Sequence, residues 1–291
     1  MEKQQTESLK KSDSIKAFAF DLDDTLLDGE GKLTDFSRQA LIDAAEAGYE
    51  PIIASGRSFY SLPDYLINIP GVRYAICSNG ANLFDVENRK CINSLTLSPE
   101  SIRQLLRLAD EYRDEIYLDA FMEGQPHSDR RLLDTLLAND SISEHRKVYL
   151  RKTRIPEDDI FSFIESNIES LDCINYNAFD KTLYHELYER VGREIEGVYV
   201  TSSLETLIEI SDKDCGKGRG LERLCNYLGI LPENVMSFGN ADNDADMLIR
   251  SGIGVAVSNS SDYAKEAADY VIGSHKEDAV AKEIYRFLDR Q

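Results

Sequence analysis

Residues 15–27 read IKAFAFDLDDTLL: an apolar run that ends in two carboxylates two positions apart, Asp21 and Asp23, followed by Thr25 and an apolar pair. Ile15 to Phe20, rich in Phe and Ala, reads as a strand buried on both faces of a parallel sheet. Ligands of open α/β sheets bind just outside the carboxyl ends of the strands, which is where this strand delivers its acids. At a strand period of two, residues 21 and 23 project to the same side. Carboxylates sharing one pocket repel unless a cation or a shared proton offsets the repulsion. The stretch therefore predicts a site that recruits a metal and divides labour between a nucleophile and an acid/base. Taken alone, it is also accounted for by a strand end with solvated acids, Asp23 or Asp24 opening a turn.

Three further segments repeat the order of strand, small or polar residue, then helix. Pro51-Ile52-Ile53-Ala54 ends in Ser55-Gly56-Arg57, a hydroxyl and a flexible backbone at a second strand end. Ile208-Glu209-Ile210 leads to Gly216-Lys217-Gly218 and the helical pattern Leu221, Leu224, Leu228. Val235-Met236-Ser237-Phe238 breaks into Gly239-Asn240-Ala241-Asp242-Asn243-Asp244 before the helical Met247-Leu248. An acid pair, a hydroxyl, a lysine and a Gly-led polar cluster together suit a phosphoryl group and a divalent cation.

With those residues in order, the chain resembles a haloacid dehalogenase superfamily phosphatase of the Cof-type branch, which carries a large C2-type cap between its second and third motifs. The family's four motifs match DLDDTLL at 21–27, Ser55 in ASGR, Lys217 in CGKG, and GNADND at 239–244. The tail GIGVAVSNSSDYAKEAADYVI, residues 252–272, resembles the family's closing segment. The match spans nearly the whole chain after the first dozen residues, the cap matching only in position and size. The resemblance implies an α/β fold: a doubly wound, mostly parallel sheet forming a Rossmann-like core, with an inserted α+β cap domain that covers the active site and selects substrate.

The resemblance also assigns roles. Asp21 attacks phosphorus and becomes an aspartyl phosphate. Asp23 protonates the leaving alkoxide and then deprotonates water. Ser55 and the N–H groups around Gly56 hydrogen-bond the transferring oxygens, Lys217 sets a point charge on them, and Asn243 donates its amide to the same phosphate. Mg2+ is the implied cofactor, a hard oxygen-seeking ion that neutralises both the carboxylate and the phosphate. Its expected ligands are Asp21, Asp23, Asn240 and Asp244, the last also orienting Lys217 or a metal-bound water. Arg57 reads equally as a substrate contact and as an exposed salt bridge.

Two positions depart from the family pattern. Asp24 stands where many members have Gly, a permissive position. Asn240 stands where most relatives carry a metal-binding Asp; its neutral carbonyl still coordinates but removes one negative charge. The expectation is weaker metal binding with the chemistry retained, Asp242 or Asp244 compensating.

Composition agrees. The chain has 291 residues, enough for two domains, and a formal net charge of −20 from 53 acidic against 33 basic residues. Such a field argues against nucleic acid and anionic membrane as partners. The five cysteines, Cys77, Cys91, Cys173, Cys215 and Cys225, lack any CxxC or Cys/His ligand spacing, so buried reduced thiols are expected. His127, His145, His185 and His275 show no ligand spacing either. The opening residues 1–14 form a polar tail without the apolar core of a signal peptide, and no apolar run approaches bilayer length, so a cytoplasmic location is expected.

The domain expectation is a core from 15–97 and 201–291, with the cap at 98–200. Within the cap, Ser98-Pro99-Glu100 opens a helix with a cap residue, a first-turn proline and an acid. Pro156-Glu157-Asp158 reads as a second helix start, and strands are expected at 115–121, 147–150, 173–177 and 198–201. The turn Met122-Glu123-Gly124-Gln125-Pro126 is the candidate specificity element. The function so read is Mg2+-dependent hydrolysis of small phosphorylated metabolites, sugar phosphates or phosphorylated cofactors. A sugar-phosphate phosphomutase and a phospho-ligand-binding protein without turnover are the alternatives. Oligomeric state is not readable.

Overall fold

The computed structural model describes residues 14–204 and 206–289, with nothing described for the side chains of His145 and Ser203. The expected N-terminal tail lies outside the described residues except for Ser14. The described residues divide into two compact units: those within 14–55, 62–92 and 216–289 form one, and those within 56–61 and 93–215 the other. The inserted unit thus runs to Cys215 rather than to residue 200. No helix among the described residues is long and apolar enough to cross a membrane.

The first unit is built in chain order from β1 (Ala17–Phe20), α1 (Asp35–Glu46), β2 (Glu50–Ala54), the single turn α2 (Asp64–Ile67), β3 (Tyr74–Cys77), β4 (Asn82–Asp85) and the start of β5 (Lys90–Ser94), whose last two residues fall in the inserted unit. Its sheet has the order β14-β13-β12-β1-β2-β3-β4-β5, with β12 (Val235–Gly239), β13 (Ile253–Ala256) and β14 (Tyr270–Val271) arriving after the insertion. All pairs from β14 to β3 are parallel, and β3 pairs antiparallel with β4. Every residue of β1 is buried, as its run of Phe and Ala requires. Ala17 and Ala19 face a core that includes Ile52, Ile76, Leu221, Leu224 and Met247. Phe18 projects the other way, with its ring 5.1 Å from Tyr49 and 5.5 Å from Phe287. Period-two alternation thus distributes one apolar strand between two helical layers, the doubly wound arrangement.

The inserted unit continues the numbering with α3 (Pro99–Glu111), β6 (Ile116–Met122), β7 (Gln125–Asp129), α4 (Arg130–Ala138), α5 (Glu144–Thr153), β8 (Ile155–Glu157), α6 (Ile160–Ser166), β9 (Leu171–Ala178), α7 (Lys181–Glu194), β10 (Val198–Leu204) and β11 (Leu207–Asp212). These strands form a six-stranded sheet ordered β10-β11-β9-β6-β7-β8. One face carries Leu118, Ala120, Ile174, Tyr176, Ile208 and Ile210 into a core with Leu105, Leu187 and Val191 from the helices. The Ser98 hydroxyl caps α3, accepting from the Ser101 N–H at 3.0 Å.

Three local expectations are corrected. Residues 147–150 lie in helix α5, not a strand: Ser143 caps it by accepting from the Arg146 N–H at 3.3 Å, and Glu144 pairs with Lys147 one turn on. The cap and the charge pair outweigh the β preference of Val148 and Tyr149. The helix expected from Pro156 begins only at Ile160, because the Asp159 carboxylate accepts from the Ser162 N–H at 3.1 Å, while residues 155–157 form β8. The segment Ile208–Ile210, grouped by sequence with the core strands, belongs to β11 in the inserted sheet.

The remaining elements return to the first unit: α8 (Lys217–Leu228), β12 (Val235–Gly239), α9 (Ala245–Arg250), β13 (Ile253–Ala256), α10 (Asp262–Ala267), β14 (Tyr270–Val271) and α11 (Ala279–Leu288). All five cysteines are free thiols, four of them buried.

Candidate active site

The register aligns the carboxyl ends of three strands. Phe20 of β1 lies opposite Ile53 of β2 and Phe238 of β12, so Asp21, Ala54-Ser55 and Gly239-Asn240 emerge at one level. The Asp21 N–H donates to the Phe238 carbonyl at 3.0 Å, extending the ladder one residue past β1. Beyond it the backbone leaves the strand. Residues 22–26 make one wide turn, closed by the Leu27 N–H donating to the Leu22 carbonyl at 2.9 Å. Asp24 adopts φ 57°, the left-handed region where Gly is at ease and Asp is tolerated, which accounts for the acid at this position. Asp23 is brought near Asp21 by this turn rather than by strand periodicity.

Lys217 is the first residue of α8 and is almost fully buried, an unusual place for an amine. Its Nζ donates to Asp21 Oδ1 at 2.6 Å and to Asp244 Oδ1 at 2.5 Å. Burial opposes its charge, but the two carboxylates outweigh that and raise its pKa above the ordinary lysine value. Asp21 is also raised, from 3.8 to about 7, by burial first and by Asp244 next, with Lys217 pulling back and Asp23 adding to the rise. With Asp21 ionised, Asp21, Asp23 and Asp244 against one Lys217 leave a formal charge of −2, three negatives and one positive.

The loop after β12 is organised by Asp244. Its Oδ2 accepts from the Asn240 and Ala241 N–H groups, both at 2.9 Å, while its Oδ1 holds Lys217. Both oxygens are engaged, so Asp244 anchors the lysine and the loop. Asp242 Oδ1 accepts from the Ser261 hydroxyl at 2.6 Å. Asn240 Oδ1 accepts from the Thr25 hydroxyl at 3.0 Å, tying the first and fourth motifs together. Gly239 leaves room for Asp244, whose Cβ lies 2.5 Å from where a side chain on Gly239 would begin.

Ser55 is buried at the end of β2; its N–H donates to the Ile76 carbonyl at 2.8 Å and its carbonyl accepts from the Asn79 N–H at 3.2 Å. Asn243 donates from Nδ2 to Asn79 Oδ1 at 2.9 Å. Gly56 and Arg57 fall in the other unit. The first unit therefore brings together Asp21, Asp23, Ser55, Lys217, Asn240, Asn243 and Asp244.

Thr25, Asn79 and Asp246 were not picked out by sequence as site residues. Asp246 Oδ2 accepts from the Gly218 N–H at 2.9 Å, holding the start of α8. Only Thr25 carried a signal, its place inside the first motif. Of the histidines, His275 is buried with Nδ1 3.0 Å from the Leu27 carbonyl, and His127 lies 2.7 Å from Glu157. Neither belongs to the site.

The donor set around Asp21 is all oxygen and carries surplus negative charge, which suits a hard dication. Among the described residues no three Asp, Glu, His or Cys side chains converge as a metal cluster. An ion here would draw on Asp21, Asp23, the Asn240 carbonyl and water, a mixed set of the kind Mg2+ accepts.

Residues 18–284 match the model of a family described as haloacid dehalogenase-like hydrolases. Over 286 residues the chain is 26% identical to a 5-amino-6-(5-phospho-D-ribitylamino)uracil phosphatase of Bacillus subtilis, covering 97% of this chain and 99% of the relative. It is 28% identical over 279 residues to a pyridoxal phosphate phosphatase of Escherichia coli, covering 94% and 99%. A solved haloacid dehalogenase-like hydrolase from B. subtilis superposes with a TM-score of 0.77 at 24% identity over 93% of this chain and 99% of that one.

Proposed function

Because the chain belongs to the haloacid dehalogenase-like hydrolase family, we propose that it is a phosphatase cleaving phosphomonoesters of small metabolites through an aspartyl phosphate on Asp21. The observation that carries this reading is the buried Asp21–Lys217–Asp244 cluster at the strand ends. Lys217 occupies Asp21 Oδ1 and leaves Oδ2 to attack phosphorus. Asp23, exposed on the turn, gives a proton to the departing alkoxide and takes one from the attacking water. Lys217, anchored by Asp244, places positive charge beside the transferring oxygens without having to reorganise. Ser55 and Asn243 supply neutral donors to the same oxygens. Asp21, Asp23 and Asn240, with water, would hold Mg2+, which would supply positive charge to keep a carboxylate with a pKa near 7 ionised beside a phosphate dianion.

The substrate class rests on the relatives, whose names specify phosphatases of a ribitylaminouracil phosphate and of pyridoxal phosphate. The chain's own substrate is proposed as a phosphorylated cofactor, cofactor precursor or sugar. Phosphate release from a panel of such compounds, with and without Mg2+, tests this. Free phosphate in the presence of Mg2+ is expected; an isomeric sugar phosphate would instead indicate a mutase. Absence of both products at every Mg2+ concentration would leave a binding protein, the reading that Asn240 motivates. Asn240→Asp separates these further. It restores a carboxylate to the ion and lowers the Mg2+ needed for half-maximal activity, with repulsion from Asp21 and Asp23 cancelling part of the gain.

A further inference from the structure

The geometry points to Asn79 as a positioning residue that sets the orientation of Asn243 toward the substrate phosphate, an inference that rests on the phosphatase reading. Asn79 is buried and sits at φ 50°, between Ser78 at φ 49° and Gly80 at φ 92°. Three successive left-handed residues are costly and persist only where the surroundings hold them. Here the surroundings are the phosphate-handling segments themselves. The Asn79 N–H donates to Ser55 O at 3.2 Å, its carbonyl accepts from the Gly216 N–H at 2.8 Å, and its side-chain Oδ1 accepts from Asn243 Nδ2. One residue thus ties the end of β2, the entry to Lys217 and the loop after β12. Gly80 completes the packing, since a side chain there would begin 2.2 Å from the Gly216 carbonyl oxygen.

The side-chain bond has a chemical consequence. A carboxamide presents either a donor or an acceptor to a neighbouring anion, depending on which way it is flipped. With Asn79 Oδ1 accepting one Nδ2 proton, flipping Asn243 would set two carbonyl oxygens against each other. The bond therefore keeps the amide nitrogen, with its second proton, available to phosphate and keeps the carbonyl oxygen from taking its place.

Asn79→Gly removes the side chain and keeps the backbone ties, because Gly accepts positive φ. Expected is a rise of about tenfold in KM for p-nitrophenyl phosphate and in Ki for inorganic phosphate, with kcat within about twofold, the signature of lost uniform phosphate binding. Asn243→Ala should show the same loss, and the double variant should be no worse than Asn243→Ala alone. An unchanged Ki in Asn79→Gly, or additive losses in the double variant, would overturn the proposal.

A measurement on the wild-type protein does not depend on how Asn79→Gly folds. In an amide NMR titration with inorganic phosphate, one Asn243 side-chain proton should shift strongly while its geminal partner, held by Asn79, moves little. Equal movement of both, or of neither, would equally overturn it. If the wild type releases no phosphate from any ester, the phosphatase reading fails, and the NMR titration still decides the role of Asn79.

Discussion

Both units bury aspartates, but they treat them differently. In the inserted unit Asp172 and Asp119 are each met by their own neutral donors. Asp172 accepts from the Ser94 hydroxyl at 2.6 Å and the Gly124 N–H at 2.9 Å, and Asp119 accepts from the Ser128 hydroxyl and from Asn177 Nδ2 at 3.1 Å. In the first unit Asp21 and Asp244 share one amine, and burial leaves Asp21 protonating near neutral pH. Neutral donors dissolve a carboxylate into the fold; a crowd of carboxylates around one lysine leaves charge to be met from outside. Satisfied acids hold a fold together, whereas the unsatisfied surplus marks the place for chemistry.

The largest effect should come from Asp21→Asn, which removes a charge and no volume. Phosphate release should fall by about three or more orders of magnitude, as loss of a covalent nucleophile does in serine proteases. Near-normal turnover by the folded variant would remove Asp21 from the mechanism. Next, Lys217→Met leaves two buried carboxylates facing each other without their amine. Urea unfolding of the metal-free protein should show a loss of about 3–5 kcal/mol. A loss below about 1 kcal/mol would erase the contrast between the two units.

A third test reads pH. The folded Asp21 binds its proton more tightly than the unfolded chain does, with a pKa raised from 3.8 to about 7. Its contribution to stability is therefore complete below the unfolded value and is lost as pH rises through the folded one. In EDTA, Asp21→Asn should gain on the wild type by up to a few kcal/mol between about pH 4 and pH 8. A difference that stays flat with pH would show that Asp21 is not held near neutrality. The smallest effect belongs to the inserted unit. Asp172→Ala should cost about 1–3 kcal/mol by stranding the Gly124 N–H, with the same cost at pH 6 and pH 8. A cost that changes steeply with pH would make Asp172 resemble the surplus acids of the first unit.

The site was legible where the chemistry sits at a strand end. Asp21, Ser55 and Asn240 follow apolar runs in the sequence, and the register brings those ends level. What was not legible depends on distant partners. Nothing local shows that Asn79 meets Ser55, Gly216 and Asn243, because each bond joins segments far apart in the chain. Asp244 was read as a ligand because its residue type allows it; only the geometry shows both oxygens engaged. The misplacement of Ile208–Ile210 did have a signal. Ile208 to Ser211 alternates apolar and polar residues, as a half-polar antiparallel sheet does and a doubly covered parallel strand does not.

The place of β1 in the middle of its sheet bears on the order of synthesis. Its one neighbour, β2, follows within a few dozen residues, but the other, β12, begins only at Val235. At about 5–20 residues per second, a ribosome needs roughly ten to forty seconds to make the intervening chain. Throughout that interval one edge of Ala17–Phe20 lacks its native partner, an open strand of the kind that recruits other chains. The nascent protein should therefore be most vulnerable to aggregation, and most dependent on chaperones, before β12 emerges. The same delay keeps Asp21 from meeting Lys217 and Asp244 until residue 244 has been made, so no truncated product that stops short of them carries the assembled charge cluster.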